Sequence, residues 1–531
     1  MLCLLLWGCS VGSKNESSAA SGGTQLSTQA PVPEVQSITV VPDPSVDAAD
    51  IKDPYVQADK YSVEIFHPDR ELYNALFRAV MNREKTMDIS SFNLTYKEKY
   101  AAAEVLLSEG GYHFFYLKNF KLSDDASSIR FIYYDMDDKE IAYDRETLDA
   151  RLSHLLYNVA PAGDSDLQKF IAIYSFLCET SSYASDASDP MTISPYSILV
   201  NGEGICAGYA ELMQNALARQ GMEAEYVCCE AHAWDIVKLN GKWYHTDVTW
   251  GAGNVEDPRN NTNYMLMDDT ERINSLTDAG YGSESRSVGY PGGSGTALPA
   301  CTDTAFCAYG TIGYPSAFDI EDRKTYFCDM DSIDCMNLDC TGRQTLVQGD
   351  SCYNMVYFNG ALYYISADSG AVCRLAQGGQ PETIDNSEPF YFMKMDGTEL
   401  TYAADAAGTD SKTIDLLPLP EETGTADQLS DTSILRSRSF EIQIRFSQPM
   451  DGTQNWNECV YLANDKGKAI PCNFTYDNAS NTLTVRPRSY IDENAYLTVY
   501  VTGGTLAQND EALAGCVSRR IKLVSQAENS F

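Results

Sequence analysis

His232-Ala233-Trp234-Asp235-Ile236-Val237-Lys238-Leu239-Asn240-Gly241-Lys242-Trp243-Tyr244-His245-Thr246-Asp247-Val248-Thr249-Trp250 alternates apolar and polar residues on either side of Asn240-Gly241. That dipeptide supplies the two positive-φ residues of a two-residue hairpin turn. Such a turn fixes register. Leu239 then opposes Lys242, and stepping outward by pairs sets Trp234 opposite Asp247 and His232 opposite Thr249, provided no bulge intervenes. His232 and Asp247 become diagonal neighbours on one face, a separation that an imidazole and a carboxylate bridge. Upstream, Gly202 and Gly204 give the backbone freedom for a tight turn, and Ala210, Leu212, Met213, Ala216 and Leu217 read as a helix ending near Gly221. Cys206 falls in the first turn of that helix, where unpaired N–H groups and the positive dipole end stabilise a thiolate. The sum is a candidate Cys206-His232-Asp247 triad, nucleophile, base and orienter.

The strings Gly204-Ile205-Cys206-Ala207-Gly208-Tyr209-Ala210, His232-Ala233-Trp234 and Gly241-Lys242-Trp243-Tyr244-His245-Thr246-Asp247-Val248-Thr249-Trp250 together resemble the bacterial transglutaminase-like superfamily. The resemblance spans about Leu167 to Asp269 and implies a papain-like core whose Cys opens a helix and whose His and Asp lie on adjacent strands. It implies acyl transfer from protein or peptide amides, with the same three residues in the same roles. Asp235 departs from the family, which usually has Asn there, but strand alternation turns it away from the His232 face.

Alternatives stand beside this reading. Cys206 as an inert buried thiol and His245 as the base are the rival assignments, His245 sharing the Asp247 face one pair closer to the turn. Among the other histidines His67 precedes a helix, His113 opens an aromatic strand and His154 sits on an apolar helix face, so each reads as structural. Cys228 and Cys229 also read as structural, and Trp234, Trp243 and Trp250 as sheet packing, with one of them available to line a cleft. The backbone N–H of Cys206 is one expected oxyanion donor. Tyr196 or Asn201 is the candidate for a second.

Around this core the fold class reads as α+β multidomain, with an all-β repeat domain and an Ig-like β-sandwich following the transglutaminase-like (papain-like) core. The expected divisions are residues 1–35, a signal remnant and tether; 36–160, an N-terminal α+β domain; 161–274, the core; 275–300, a Gly/Ser-rich linker; 301–428, β-repeats; and 429–531, the sandwich. Helical periodicity marks 69–81, 96–107, 145–159 and 166–178, and alternation marks a hairpin from Tyr112 to Phe120 and Ile129 to Tyr134. Thr325-Tyr326-Phe327, Leu362-Tyr363-Tyr364 and Leu400-Thr401-Tyr402 recur in three blade-like β-repeats. Three blades cannot close a propeller, which favours a small open β-domain. Strands at 440–446, 459–462, 482–486 and 495–501 resemble those of bacterial Ig-like surface domains.

The apolar run Met1–Gly8 is too short to span a membrane. Leu6-Trp7-Gly8-Cys9 resembles a lipobox, which implies lipidation at Cys9, membrane anchoring and an extracytoplasmic, cell-surface location. The 531 residues carry 38 Lys+Arg against 75 Asp+Glu, and a net charge of -37 excludes nucleic acid as a partner. The 16 cysteines include a group at Cys301, Cys307, Cys328, Cys335, Cys340, Cys352 and Cys373, whose spacings do not suit zinc but allow some disulfides in an exported chain. No pattern calls for a cofactor or for calcium. The function expected is an exported cysteine peptidase, amidase or acyltransferase acting on protein or peptide, cell-wall peptides included. The alternative is a non-catalytic cell-surface binding or adhesion module.

Overall fold

The computed structural model describes residues 31–43, 69–109, 111–161, 163–185, 190–229, 231–252, 262–281, 289, 297–312, 315–405, 407–429, 432–435, 439–491 and 495–524. Cys9, His67 and most of the expected 275–300 linker lie outside these residues.

Helices begin where side chains satisfy the otherwise unpaired first-turn N–H groups. Asp69 accepts from the Leu72 N–H at 2.8 Å and starts the helix Arg70–Met81. Asp137 with Glu140 and Ser165 with Gln168 form capping boxes for Asp138–His154 and Asp166–Thr180. The first of these starts earlier than periodicity predicts and passes into a π-helical segment over Leu155–Val159. The aromatic stretch from Tyr112 is also different. It opens as a short helix, Gly111–Phe114, and becomes a strand only at Leu117–Leu122. A run of consecutive aromatics carries no clean two-residue period, and here it is buried from Tyr112 through Leu117 save half-buried His113. The strand Leu117–Leu122 pairs with Ser128–Tyr133, which also takes Thr86–Asp88 on its other edge.

The core sheet has three antiparallel strands, Ala224–Cys229, His232–Leu239 and Lys242–Thr246, against which the helix Cys206–Arg219 packs. Asn240 and Gly241 have φ of 52° and 78°, and Leu239 pairs with Lys242 as the turn requires. One hydrophobic core extends from Leu72 to Leu338, so packing is continuous across positions 160 and 301. The helix Asp269–Asp278 crosses the division placed at 274/275, and the Asp269 N–H donates to the Cys301 carbonyl, tying the two sides together.

Beyond the core, three consecutive antiparallel meanders follow, of four, four and three strands. The recurring Tyr-bearing triplets each fall in the second strand of a meander, Lys324–Asp329, Ala361–Ser366 and Glu399–Ala403. A disulfide, Cys328–Cys352, links the first two meanders, while Cys301, Cys307, Cys335, Cys340 and Cys373 are free thiols. Two further sheets then enclose a shared core that includes Ile442, Val485, Leu462 and Val499. Their local pattern conceals one member: Val35–Pro42 is the edge strand beside Phe440–Phe446, so these N-terminal residues pack with the C-terminal sheets and not with the α+β region assigned to 36–160.

Candidate active site

The helix Cys206–Arg219 starts where glycine is a packing requirement. A Cβ on Gly204 would lie 2.2 Å from Ile198 Cδ1 and 2.9 Å from the Thr192 carbonyl, and one on Gly208 would lie 3.1 Å from the Ser194 carbonyl. The two glycines thus let the Cys206 turn sit directly on the 190–201 segment. Ile205 occupies the N-cap position and provides no capping side chain, so the helix presents backbone N–H groups beside Cys206. This is the geometry of an oxyanion donor. Tyr196 does not complete it, because its hydroxyl is 2.8 Å from Asp144 Oδ1 and its ring stacks on Phe115. Asn201 is exposed at the end of a π-helical turn.

His232 Nε2 lies 2.6 Å from Asp247 Oδ2, and both groups are buried. Cys206 acts electrostatically on the same ring, and the Asp247 contact leaves Nδ1 as the other ring nitrogen. The approach differs in detail from the diagonal expected. Strand pairing ends at Asp235 and Thr246, and the chain turns at Asp247 into the short helix Val248–Ala252. Asp247 caps that helix, Oδ1 accepting from the Trp250 N–H at 3.1 Å, and its second oxygen faces His232. Burial alone would disfavour the His232 imidazolium, but the Asp247 carboxylate and Cys206 outweigh it and push the pKa up to about 9. Burial would also raise the Asp247 carboxyl, yet His232 and Arg272 hold it below the ordinary carboxylate value.

Two groups at this site were not legible from local pattern. Arg272, fully buried, places Nη1 2.9 Å from Asp247 Oδ2. Trp250 stacks on the His232 ring at 4.6 Å and 12°, and Trp234 at 5.8 Å and 22°, so these indoles flank the imidazole rather than only filling the sheet. The one sequence signal for Arg272 is its place four residues before buried Leu276, a charged residue on the apolar face of a helix. Trp243 is half-buried and lies under Lys238.

His245 belongs to a different arrangement. Its Nδ1 accepts the Trp234 indole N–H at 3.0 Å, and its Nε2 faces Asp269 Oδ1 at 3.1 Å. An indole N–H only donates, so the neutral ring must carry its proton on Nε2. Burial lowers the His245 pKa, and Asp269 only partly offsets this, which keeps the ring neutral. His245, Asp269 and Cys301 bring their ligand atoms within 4.8 Å of one another. A metal there would have to displace the Nε2 proton that the Trp234 contact fixes, and burial pushes the Cys301 thiol up to about 12. The donor set therefore suits hydrogen bonding better than metal ligation. His154 is structural, buried with Nε2 3.0 Å from the Arg488 carbonyl, and burial lowers its pKa to about 4. His113 lies on the short helix, half-buried, with its ring edge-on to Phe77.

Residues 153–248 match the model of the Transglutaminase-like superfamily (Transglut_core). The chain thus carries a transglutaminase-like domain. Kyphoscoliosis peptidase of Mus musculus is 27% identical over 129 residues, covering 21% of this chain and 20% of that protein. The Homo sapiens kyphoscoliosis peptidase is 26% identical over 154 residues, covering 25% and 23%. This chain spans about a fifth of the length of the curated relatives it matches. A solved structure of a TGase is 13% identical, with 40% of this chain and 59% of that chain covered, at a TM-score of 0.18.

Proposed function

We propose that the chain is an exported cysteine enzyme that cleaves or transfers protein or peptide amides, with Cys206 as nucleophile, His232 as proton carrier and Asp247 as orienter. The observation that carries this reading is the 2.6 Å contact between buried His232 Nε2 and Asp247 Oδ2, with Cys206, at a helix start, acting on the same imidazole. In this reading Cys206 Sγ forms a bond to the amide carbonyl carbon, and the protonated His232 ring gives its Nδ1 proton to the departing amine as the C–N bond breaks. Water then loses a proton to His232 and attacks the thioester, releasing the acid and restoring the thiol; an amine in place of water gives a new amide. The peptidase name of the mammalian relatives supports the hydrolytic branch. Export and anchoring through Cys9 rest on Leu6-Trp7-Gly8-Cys9, and the C-terminal pair of sheets is proposed to be an Ig-like spacer.

The test is labelling with a thiol-reactive peptide electrophile, read by intact mass, of the wild type, Cys206→Ala and His232→Ala. Rapid modification of one thiol that disappears with Cys206→Ala and slows at least about a hundredfold with His232→Ala supports the assignment. Equal labelling of all three overturns it and leaves a surface-binding module.

A further inference from the structure

Arg272 comes from the helix Asp269–Asp278, beyond residues 153–248, and the structure brings that helix in by a defined route. Met267 exchanges backbone hydrogen bonds with His245, and the Asp247 N–H donates to the Tyr264 carbonyl, so residues 264–267 run along the outer side of the third core strand. Asp268 and Glu271 then close a capping box that fixes the first turn of the helix. Asp269, its first residue, faces His245 and accepts the Cys301 N–H at 3.1 Å. The helix is held at several points, and its only cation is carried inward.

The surroundings of that cation are built rather than incidental. The guanidinium lies 3.8 Å from the centre of the Trp234 ring and 4.5 Å from that of Trp250, the same two indoles that flank His232. Trp234 is held in place by its indole bond to His245. Asp247 Oδ2 receives both His232 Nε2 and Arg272 Nη1, while Oδ1 caps the Trp250 N–H, so the carboxylate has little freedom to turn. The Arg272 contact is an ion pair without an in-line hydrogen bond, and among the described residues its nitrogens have no hydrogen-bond partner. A guanidinium buried this way is expensive and is tolerated only against a counter-charge.

We propose that Arg272 is a positioning residue that keeps Asp247 ionised and turned toward His232, and so sets the pH range in which the Cys206–His232 pair holds its protons. This rests on the assignment of Cys206, His232 and Asp247 above. A fixed cation on the shared carboxylate makes the His232–Asp247 unit release its proton more easily, so Arg272 lowers the pH at which that unit deprotonates. The other titratable groups facing this cluster are Tyr226, Cys228 and Cys229 from the first core strand, His245 from the third, Tyr174 and Cys178 from the helix Asp166–Thr180, Tyr183 just beyond that helix, and Tyr264 and Tyr281 on either side of the arginine's own helix. The tyrosines and cysteines carry charge only when deprotonated and His245 is held neutral, which leaves Arg272 as the fixed cation among the described groups at neutral pH.

The experiment is the pH dependence of Cys206 alkylation by iodoacetamide in the full chain, for wild type, Arg272→Lys, Arg272→Gln and Arg272→Met, with the thermal midpoint of each variant recorded. Arg272→Met and Arg272→Gln are expected to move the midpoint of the rate profile up by about one to two pH units, and Arg272→Lys to restore it while packing less well between the indoles. Gln and Met are two neutral replacements of different shape, so the measurement survives if one does not fold. Superposition of the neutral variants on the wild-type profile, or an equal shift in Lys and Gln, overturns the inference, since a packing role would lower the thermal midpoint without distinguishing charge. If His232→Ala, measured alongside, reproduces the wild-type profile, the assignment of the nucleophile falls instead, an outcome separate from these.

Discussion

The hairpin carries two histidines on adjacent strands, each facing an aspartate and near a cysteine, His232 with Asp247 just past the third strand and His245 with Asp269 of the following helix, and their electrostatics run in opposite directions. The His232 pKa goes up to about 9 and that of His245 goes down. The distances alone, 2.6 and 3.1 Å, do not explain a change of sign. The second partner of each ring and the burial of each carboxylate do. Asp247 is fully buried, so its charge is poorly screened and acts strongly on His232, whereas the Asp269 side chain is 46% exposed and water weakens its pull. Cys206 also favours the charged His232 ring, whereas His245 has an indole N–H that demands a lone pair and so opposes a second proton. A Cys, His and Asp close in space therefore do not by themselves define a nucleophile. The environment of the carboxylate decides.

The contrast is sharpest if the two carboxylates are neutralised separately. Asp247→Asn is expected to slow Cys206 labelling by about 10²–10⁴-fold, as loss of the orienting carboxylate does in triad enzymes. It should also destabilise the chain by about 3–5 kcal/mol because Arg272 is left as an uncompensated buried charge. Asp269→Asn should leave the labelling rate unchanged. Labelling kinetics and urea midpoints check both, and equal effects from the two variants would erase the distinction.

Smaller effects follow from proton linkage. The folded pKa of His232 lies above its ordinary 6.5, so its contribution to stability is complete below pH 6.5 and lost as pH rises through about 9. The amount at stake is about 3 kcal/mol. The folded pKa of His245 lies below 6.5, so its contribution is complete well above that value and lost as pH falls below it. Urea midpoints against pH should show His232→Gln flattening the alkaline slope and His245→Gln flattening the acid one. The smallest change is expected from His245→Phe, which strands the Trp234 indole N–H and costs about 1–3 kcal/mol without moving the pH midpoint of labelling.

Much of the site could be read from the chain because its information is local. Asn240-Gly241 sets a register that the backbone obeys, and Cys206 opens a helix within a few residues of the glycines that make room for it. The diagonal between His232 and Asp247 held for a somewhat different reason, since the strand ends at Thr246 and Asp247 reaches back while capping a helix. Arg272 escaped because its approach depends on residues 264–267 pairing alongside the third strand, a contact with no periodicity of its own. The Tyr112 stretch misled because unbroken burial removes the alternation that separates strand from helix. The division between 160 and 161 failed as a packing boundary for a related reason: a break in sequence composition is not a break in the core.

The strand Val35–Pro42 has a consequence for how the molecule is made. It pairs along its length with Phe440–Phe446, and just beyond its end the Ser439 hydroxyl donates to Asp43 at 2.6 Å. A ribosome adding about 5–20 residues per second needs on the order of 20–80 s to make the intervening 400 or so residues. For that interval the strand Val35–Pro42 lacks the partner Phe440–Phe446. Closure of this sheet therefore waits until residues about 400 apart along the chain are both present, which makes it a slow, long-range step whether folding follows synthesis or export.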